Sequence, residues 1–317
     1  MITIIGAGMA GLLAGNMLER GHKLRIMEAQ SGLPNNHGAL LRFRSNLCSD
    51  VTGIPFKKVH VNKAVKFGSV FAPRVNPYLA NQYSLKVTGE ISDRSIWNLD
   101  PVTRYIAPMD FINRMAVDLN IKYAMPFNGI KSSRGSEADP VISTIPMPVM
   151  MDIIGWKHKP KFKHRPIWTY NVKISNPKVD VYQTIYYPDL DIPHYRASLC
   201  GDLLTIEFVA DPSEGGLLAA ILEDVLDDFG LRDPLLNDFG GLKRQEYGKL
   251  VDCDDEARKD FIYTLTREYN IYSLGRFATW RQILLDDVVE DVKIIQKLIN
   301  SEGARQAYHR SLQTVQH

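Results

Sequence analysis

The chain has 317 residues, 45% hydrophobic and 23% charged, with a formal net charge of +2. This is globular composition, long enough for a large core or two fused domains, and a bulk charge that selects no partner. Cys48, Cys200 and Cys253 lie far apart without a C-x-x-C pair, which argues against a disulfide framework or a thiolate zinc site and for a reducing compartment.

Ile2-Thr3-Ile4-Ile5 reads as a short buried parallel strand closed by glycine. Gly6, Gly8 and Gly11 follow as G-x-G-x-x-G, and Leu12, Leu13, Met17 and Leu18 then mark the apolar face of a helix that Gly21 ends. Gly6 permits the tight turn, Gly8 lets backbone approach a pyrophosphate, and Gly11 lets helix pack on strand. The helix N-terminus offers unpaired N–H groups and partial positive charge to phosphates. Leu24–Met27 is the second strand, and Glu28 at its end stands where a carboxylate would bind ribose hydroxyls. This order and spacing point to a dinucleotide; NAD and FAD both remain open at this stage. A strand starting at Ile2 leaves no room for a signal peptide. No apolar run reaches the roughly 18 residues of a membrane span. A cytoplasmic protein without membrane contact is expected.

Residues 31–50 combine loop signals with an apolar, arginine-containing stretch. Residues 59–75 and 83–97 read as strand-rich and irregular. Pro108-Met109-Asp110 can start a helix with Phe111, Met115 and Leu119 on one face, and Asp139–Pro146 holds a buried-strand pattern. From about 165 to 210 the pattern is β; helices are expected over Leu217–Phe229 and Asp254–Glu268. Asn270–Leu274 is a short strand, and a last helix is expected over about Asp287–Leu298. The order βαβ, β-rich insert, strand, β-rich insert, helices, strand, helix predicts two interleaved domains. One is a nucleotide-binding domain of residues 1–55, 105–155 and 255–317. The other is a substrate domain of residues 56–104 and 156–254.

The far end narrows the cofactor. In IYSLGRFATWRQILLDDVV a strand runs into Gly275-Arg276, a loop carries Trp280, and Asp286 or Asp287 can cap the helix that follows. Free N–H groups at Val288 and Val289 are then expected to face an electron-rich group, such as the pyrimidine end of a flavin.

Gly275-Arg276, Trp280, Asp286 and Val288 together resemble the C-terminal flavin motif of UDP-galactopyranose mutases, members of the wider FAD superfamily that includes amine oxidases. GAGMAGLLAG with Glu28, and ADPVISTIP, are similar to segments of the same superfamily; Tyr187–Arg196 resembles the mutases' substrate-phosphate segment. The resemblance implies an α/β fold, a Rossmann-like FAD-binding domain of GR2 type interleaved with a smaller β-rich α+β substrate domain. It implies FAD held by Gly6, Gly8, Met9, Ala10, Gly11 and Glu28 at the adenosine and pyrophosphate end. Gly275, Arg276, Asp287 and Val288 would serve the flavin end, and Arg196 the substrate. The chain departs from the family after Glu28, where Asn35-Asn36-His37-Gly38 replaces a G-G turn, and it is short for the family. No second G-x-G-x-x-G suggests a separate NAD(P)H domain.

His37 stands where family members approach the flavin and is the catalytic candidate beside Arg196. Arg42 and Arg44 share a face if extended; Arg42 is assigned to FAD phosphate or an anionic substrate, against a solvated loop as the alternative. Tyr170, Tyr182, Tyr186, Tyr187 and Tyr195, with Trp168, fill sheet cores or line a pocket. Lys157, Lys159, Lys161, Lys163 and Arg165 alternate without an acid. They form either a lysine-protected edge or a phosphate-tracking surface with Trp156 and Phe162 for stacking. Lys57, Lys58, Lys63 and Lys66 form a second basic cluster. No metal-ligand spacing appears among His158, His164 and His194. The expected activity is an FAD-dependent oxidoreductase of amine oxidase-like type, its flavin accepting hydride from an amine-type substrate. The alternatives are a non-redox mutase acting on a nucleotide-linked sugar and a flavoenzyme acting on a modified base in nucleic acid.

Overall fold

The computed structural model describes residues 1–33, 42–92, 95–129, 139–174, 182–213, 216–231, 236–251 and 253–314, with the side chains of 236–240 and 302–314 left aside. Two sheets organise it. The first has five parallel strands in the order β13 (Ile271–Ser273), β7 (Val141–Ser143), β1 (Ile2–Ile5), β2 (Leu24–Met27) and β6 (Ile121–Lys122). β1 is buried along its whole length, which is why ITII carries no polar alternation. A central parallel strand is covered on both faces. On one face, that of Ile2 and Ile4, lie α1 (Met9–Leu18), α2 (Leu47–Thr52), α4 (Phe111–Ala116) and α8 (Leu285–Thr314). Leu12, Leu13, Leu18, Ile26, Phe111, Met115, Val289 and Val292 join one apolar cluster there. Each fully buried aliphatic side chain in it contributes about 1.5–3 kcal/mol.

The second sheet has eight strands. Its order is β12 (Leu236–Leu250), β8 (His164–Ile174), β11 (Leu203–Phe208), β10 (His194–Cys200), β9 (Tyr182–Tyr186), β3 (Lys57–Phe67) and β4 (Val70–Phe71), with β5 (Val102–Ile106) also on β3. Only the β3–β9 pair within it is parallel among those described. The fold is thus α/β, a Rossmann-like layer joined to a β-rich layer, as expected. The chain enters the second sheet through β3 to β5, returns, enters again through β8 to β12, and ends in the first.

The two faces of the large sheet differ. Ile185, Ala197, Leu199, Leu204, Ile206 and Phe208 point to one side and pack against Ile221, Val225 and Leu226 of α6 (Leu218–Asp228). On the other side α3 (Pro77–Thr88) covers one end, with Leu79, Tyr83 and Val87 on Val65, Ile167 and Tyr195. On the same side Val59, Val61, Ile106 and Tyr182 form a small apolar cluster at the other end, and the middle is polar.

Several elements differ from the sequence expectation. Residues 83–88 are helical, not strand: Asn76 accepts from the Leu79 N–H, Pro77 opens α3, and Gly89 ends it at φ +87°. That start and stop are written in the sequence, and they outweigh the β-propensity of YSLKV. β12 was not foreseen because LNDFGGLKRQEYGKL is glycine-rich and lacks alternation; its pairing with β8 makes it a strand. α8 begins at Leu285 and runs to Thr314, past the expected Leu298. α5 (Met147–Ile153) and α2 were also not expected. The remaining helix, α7 (Asp255–Tyr269), is capped by Asp254, which accepts from Glu256 and Ala257. No helix among the described residues is long and apolar enough to cross a membrane.

Candidate functional site

The crevice lies at the carboxyl ends of β1, β7 and β13, where open parallel sheets place their ligands. Gly6 sits at φ +96°, and a Cβ there would stand 2.2 Å from Thr144 Oγ1. Thr144 in turn donates to the Ile5 carbonyl from both its N–H, at 3.0 Å, and its hydroxyl, at 2.8 Å. A Cβ on Gly11 would fall 2.0 Å from the Gly6 carbonyl oxygen, so the helix touches the turn backbone to backbone. Gly8 differs: nothing lies within 4 Å of its Cβ position, and no side chain caps α1. The first-turn N–H groups, at Met9, Ala10 and Gly11, therefore point from an uncapped helix start into open space. Beside them, Glu28 accepts from the Ala7 N–H at 2.7 Å and the Gln30 N–H at 2.9 Å. One such bond per oxygen leaves acceptor capacity for hydroxyl groups.

The far end of the chain meets this turn. Gly275, at φ +89°, has its Cβ position 2.8 Å from Ala10 Cβ. No side chain fits between Gly275 and Ala10, which explains glycine at position 275. Asp287 accepts from the Leu284 N–H at 2.8 Å, an N3 carboxylate reaching back to the N-cap of α8, and it pairs with Arg44. Asp286 is buried and accepts from the Arg44 N–H at 3.2 Å, the Ser45 N–H at 3.1 Å and the Ser45 hydroxyl at 2.6 Å. It ties α8 to the segment entering α2. The expectation of free N–H groups at Val288 and Val289 is corrected. With α8 starting at Leu285, the Val288 N–H donates to the Leu284 carbonyl at 3.3 Å. The unpaired donors of that helix start are two or three residues earlier. Val288 itself is a core residue. Trp280, buried at φ +47°, donates to the Val251 carbonyl and packs on Phe162 and Tyr247; such backbone in a bulky residue is held only by surrounding packing.

Opposite the turn stands the polar side of the eight-stranded sheet. Register places Tyr186, Arg196, Glu207 and Thr169 in one row across β9, β10, β11 and β8, and Thr184, Ser198, Thr205 and Asn171 in the next. Those four are all buried and bond in pairs, Thr184 with Ser198 at 3.2 Å and Thr205 to Asn171 at 2.7 Å. A bulge between His194 and Arg196 turns Tyr195 and Arg196 to the same side. Both reach Glu207. The Tyr195 hydroxyl donates at 2.8 Å, and Arg196 donates to both carboxylate oxygens, through Nη2 at 2.7 Å and through Nε. Burial alone pushes the Glu207 carboxyl up. Arg196, with Lys249 and Arg42 behind it, outweighs burial and holds the carboxyl at about 2. Lys249 lies 4.6 Å above the Tyr195 ring.

Two residues from the turn side reach this face. Arg42 sits 5.5 Å over the Tyr182 ring, and Arg276 donates to the Gly248 carbonyl on β12 at 3.1 Å. Phe43, between Arg42 and Arg44, is buried and bridged to Tyr105. The extended backbone there puts both arginines on one side. Arg104 stands close enough that burial and then the charges of Arg42 and Arg44 lower its pKa, with Tyr186 and Asp286 acting against them. Sequence reading missed Arg104, Glu207 and Lys249. No motif marks them, and only strand register assembles them.

Other expectations are redistributed. His37 lies outside the described residues. Tyr182, Tyr186 and Tyr195 face the polar side, whereas Tyr187 and Tyr170 pack towards α6. In the basic stretch Lys159 pairs with Asp152, Lys163 stands 3.7 Å from Glu90, and Arg165 donates to the Lys86 carbonyl at 2.7 Å. Trp156 packs on Phe261 and Phe162 on Trp280. Of the second cluster, Lys66 pairs with Asp228 at 2.5 Å and Lys63 donates to Asn98 at 2.9 Å. Among the described residues no group of three or more His, Cys, Asp or Glu could hold a metal ion.

No protein-family model and no curated relative matches the sequence. Solved structures do match. Reduced UDP-galactopyranose mutase superposes with a TM-score of 0.66 at 14% identity, over 94% of this chain and 95% of that one. An oxidoreductase from Methanosarcina mazei gives 0.57 at 12%, over 93% and 99%. A flavoprotein/dehydrogenase from Cytophaga hutchinsonii gives 0.54 at 12%, over 95% and 79%. At these identities the likeness is one of fold: this chain has the α/β architecture of a UDP-galactopyranose mutase and of flavoprotein oxidoreductases.

Proposed function

We propose that the chain is an FAD-dependent enzyme acting on a substrate with an anionic group. The observation that carries this is the open, uncapped start of α1, with Gly8 facing space and Glu28 beside it, joined through Gly275 to the start of α8. The residues present fit the group. Gly6, Gly8, Met9, Ala10 and Gly11 would receive the pyrophosphate, Glu28 the ribose, and Gly275, Arg276 and the α8 start the flavin end. The FAD-binding domain is taken as residues 1–55, 105–155 and 255–317, and the substrate domain as 56–104 and 156–254. Bound flavin would accept hydride from the substrate; this chain's residues bind, orient and exclude water. The polar sheet face would roof the reacting ring.

The charges on that face favour an anion over a cationic amine. Arg42 and Arg104 repel each other there, and of the carboxylates that act on them Glu207 is already bonded to Arg196 and Tyr195, and Asp286 to Arg44 and Ser45. Arg196 would then act with one face of its guanidinium fixed by Glu207. Purified protein should be yellow, with a flavin absorption spectrum. A colourless preparation that cannot be reconstituted with FAD would defeat the proposal.

The arginine cluster also favours a second reading, non-redox chemistry on a nucleotide-linked sugar, as the likeness to reduced UDP-galactopyranose mutase suggests. Turnover that consumes an electron acceptor supports the redox reading; turnover that needs only prior reduction by dithionite supports the second.

A further inference from the structure

The lysine-rich stretch between α5 and β8 is held in one shape. Residues 156–163 run outside any helix or strand, and they are pinned from the inside. The Trp156 N–H donates to the Met151 carbonyl at 2.8 Å, its indole donates to the His158 carbonyl at 3.1 Å, and its ring meets Phe261 at 5.3 Å. The Phe162 ring meets Trp280 at 4.6 Å, and the Lys163 carbonyl accepts from the Val251 N–H at 3.0 Å. Trp156, Pro160 and Phe162 are half-buried, whereas Lys157, Lys159, Lys161 and Lys163 are exposed. This alternation sets four ammonium groups along one side of an extended segment. Alternate residues of an extended chain stand about 6.6 Å apart, so the row is about 20 Å long.

The row is not neutralised. Lys159 pairs with Asp152, and Lys163 stands 3.7 Å from Glu90, but both pairs are exposed. Exposed pairs contribute little and exchange readily for another anion. Among the described residues Lys157 and Lys161 have no ion pair and no side-chain hydrogen bond. Four lysines against two acids leave a surplus of two positive charges, as large as the formal charge of the entire chain. A small anion calls for cations that converge on a pocket, and these lie in line on an open surface. A lipid surface holds a protein through apolar area together with charge, and no large apolar side chain of residues 155–165 is exposed. A polyanion with its own charges in line matches the row.

We propose that Lys157, Lys159, Lys161 and Lys163 form a docking strip for a nucleic-acid backbone, contacting successive phosphates. The strip shares no residue with the assigned FAD site and does not depend on the flavin reading.

Fluorescence anisotropy of the purified full chain tests it, with a labelled DNA duplex of about 20 base pairs at about 50 mM salt. Binding should weaken linearly in log–log form as salt rises, with a slope of about −2 to −4 for two to four phosphate contacts. Reversing the two lysines that have no partner, Lys157→Glu with Lys161→Glu, should weaken binding at least tenfold and make the slope shallower by about 2. Thermal unfolding should stay unchanged, since both side chains are exposed. Lys23→Glu with Lys297→Glu makes the same change in net charge at exposed positions outside the row and should leave most of the affinity. No DNA binding at that salt, an equal loss in the Lys23 and Lys297 variant, or a slope unchanged by Lys157→Glu with Lys161→Glu would each overturn the assignment. So would binding to polyglutamate, or to phosphatidylcholine vesicles containing phosphatidylserine, at least as tight as binding to DNA.

Discussion

The glycine turn and the polar sheet face are built by opposite means. At the turn, backbone does the work: Gly6, Gly11 and Gly275 are each fixed by an atom at or within 2.8 Å of a missing Cβ, and Gly8 by open space. Across the crevice, side chains do the work: Arg196, Tyr195 and Glu207 bond one another, and their neighbours hold like charges at close range. Backbone sites are specified by what is absent from a residue, and such absences stand out in a sequence. Side-chain sites depend on which strand lies beside which.

The largest expected effect breaks the backbone half. Gly11→Val drives a side chain into the Gly6 carbonyl, and soluble, cooperatively unfolding protein should be lost, an effect above about 4 kcal/mol. Gly8→Val sharpens the contrast, since nothing opposes its side chain. Thermal unfolding should be nearly unchanged while flavin absorbance disappears. A Gly8→Val protein that keeps its flavin would remove the turn from the site.

Next comes the side-chain half. Glu207→Leu leaves Arg196 without its buried partner and should cost about 3–5 kcal/mol in denaturant unfolding. The same pair predicts a pH dependence. Glu207 titrates at about 2 in the folded chain, below the ordinary carboxylate value of 4.5. Its contribution is therefore complete above about pH 4.5 and is lost as pH falls towards 2. Stability measured down that range should fall more steeply in wild type than in Glu207→Leu.

Lys86 makes an unfavourable contribution where Glu207 makes a favourable one, but its slope with pH runs the same way. Its ammonium is buried and donates to the carbonyls of Tyr187, Asp189 and His194. Burial lowers it to about 7, with Asp189 acting against the shift. A lysine lowered on folding makes its unfavourable contribution below pH 7, and this is relieved as pH rises towards 10.5. Wild type should gain stability over that window relative to Lys86→Met.

Smaller still is the seam. Asp286→Ala removes the acceptor for Arg44 and Ser45 and should cost about 1–3 kcal/mol, weakening flavin retention as α8 loosens from α2. The smallest effect is on the surface. Lys159→Gln, at an exposed pair with Asp152, should change stability by less than about 0.5 kcal/mol. A large effect there would show that the basic stretch supports the crevice.

From the sequence alone, Ile2–Glu28 was legible as strand, turn, helix, strand and acid, because its rules act over a few residues and involve glycine and hydrophobic period. Gly275 and the acidic start of α8 were legible for the same reason. α3 was equally local, but its Asn76-Pro77 start and Gly89 stop were overlooked beside a β-prone run. β12 was not legible, since only pairing with β8 makes a strand of a glycine-rich polar segment. The polar face was the tertiary structure's decision. Glu207 and Arg196 are neighbours through antiparallel register, Arg42 reaches them from another part of the chain, and no spacing in the sequence encodes a contact whose distance is set by how two sheets close on each other.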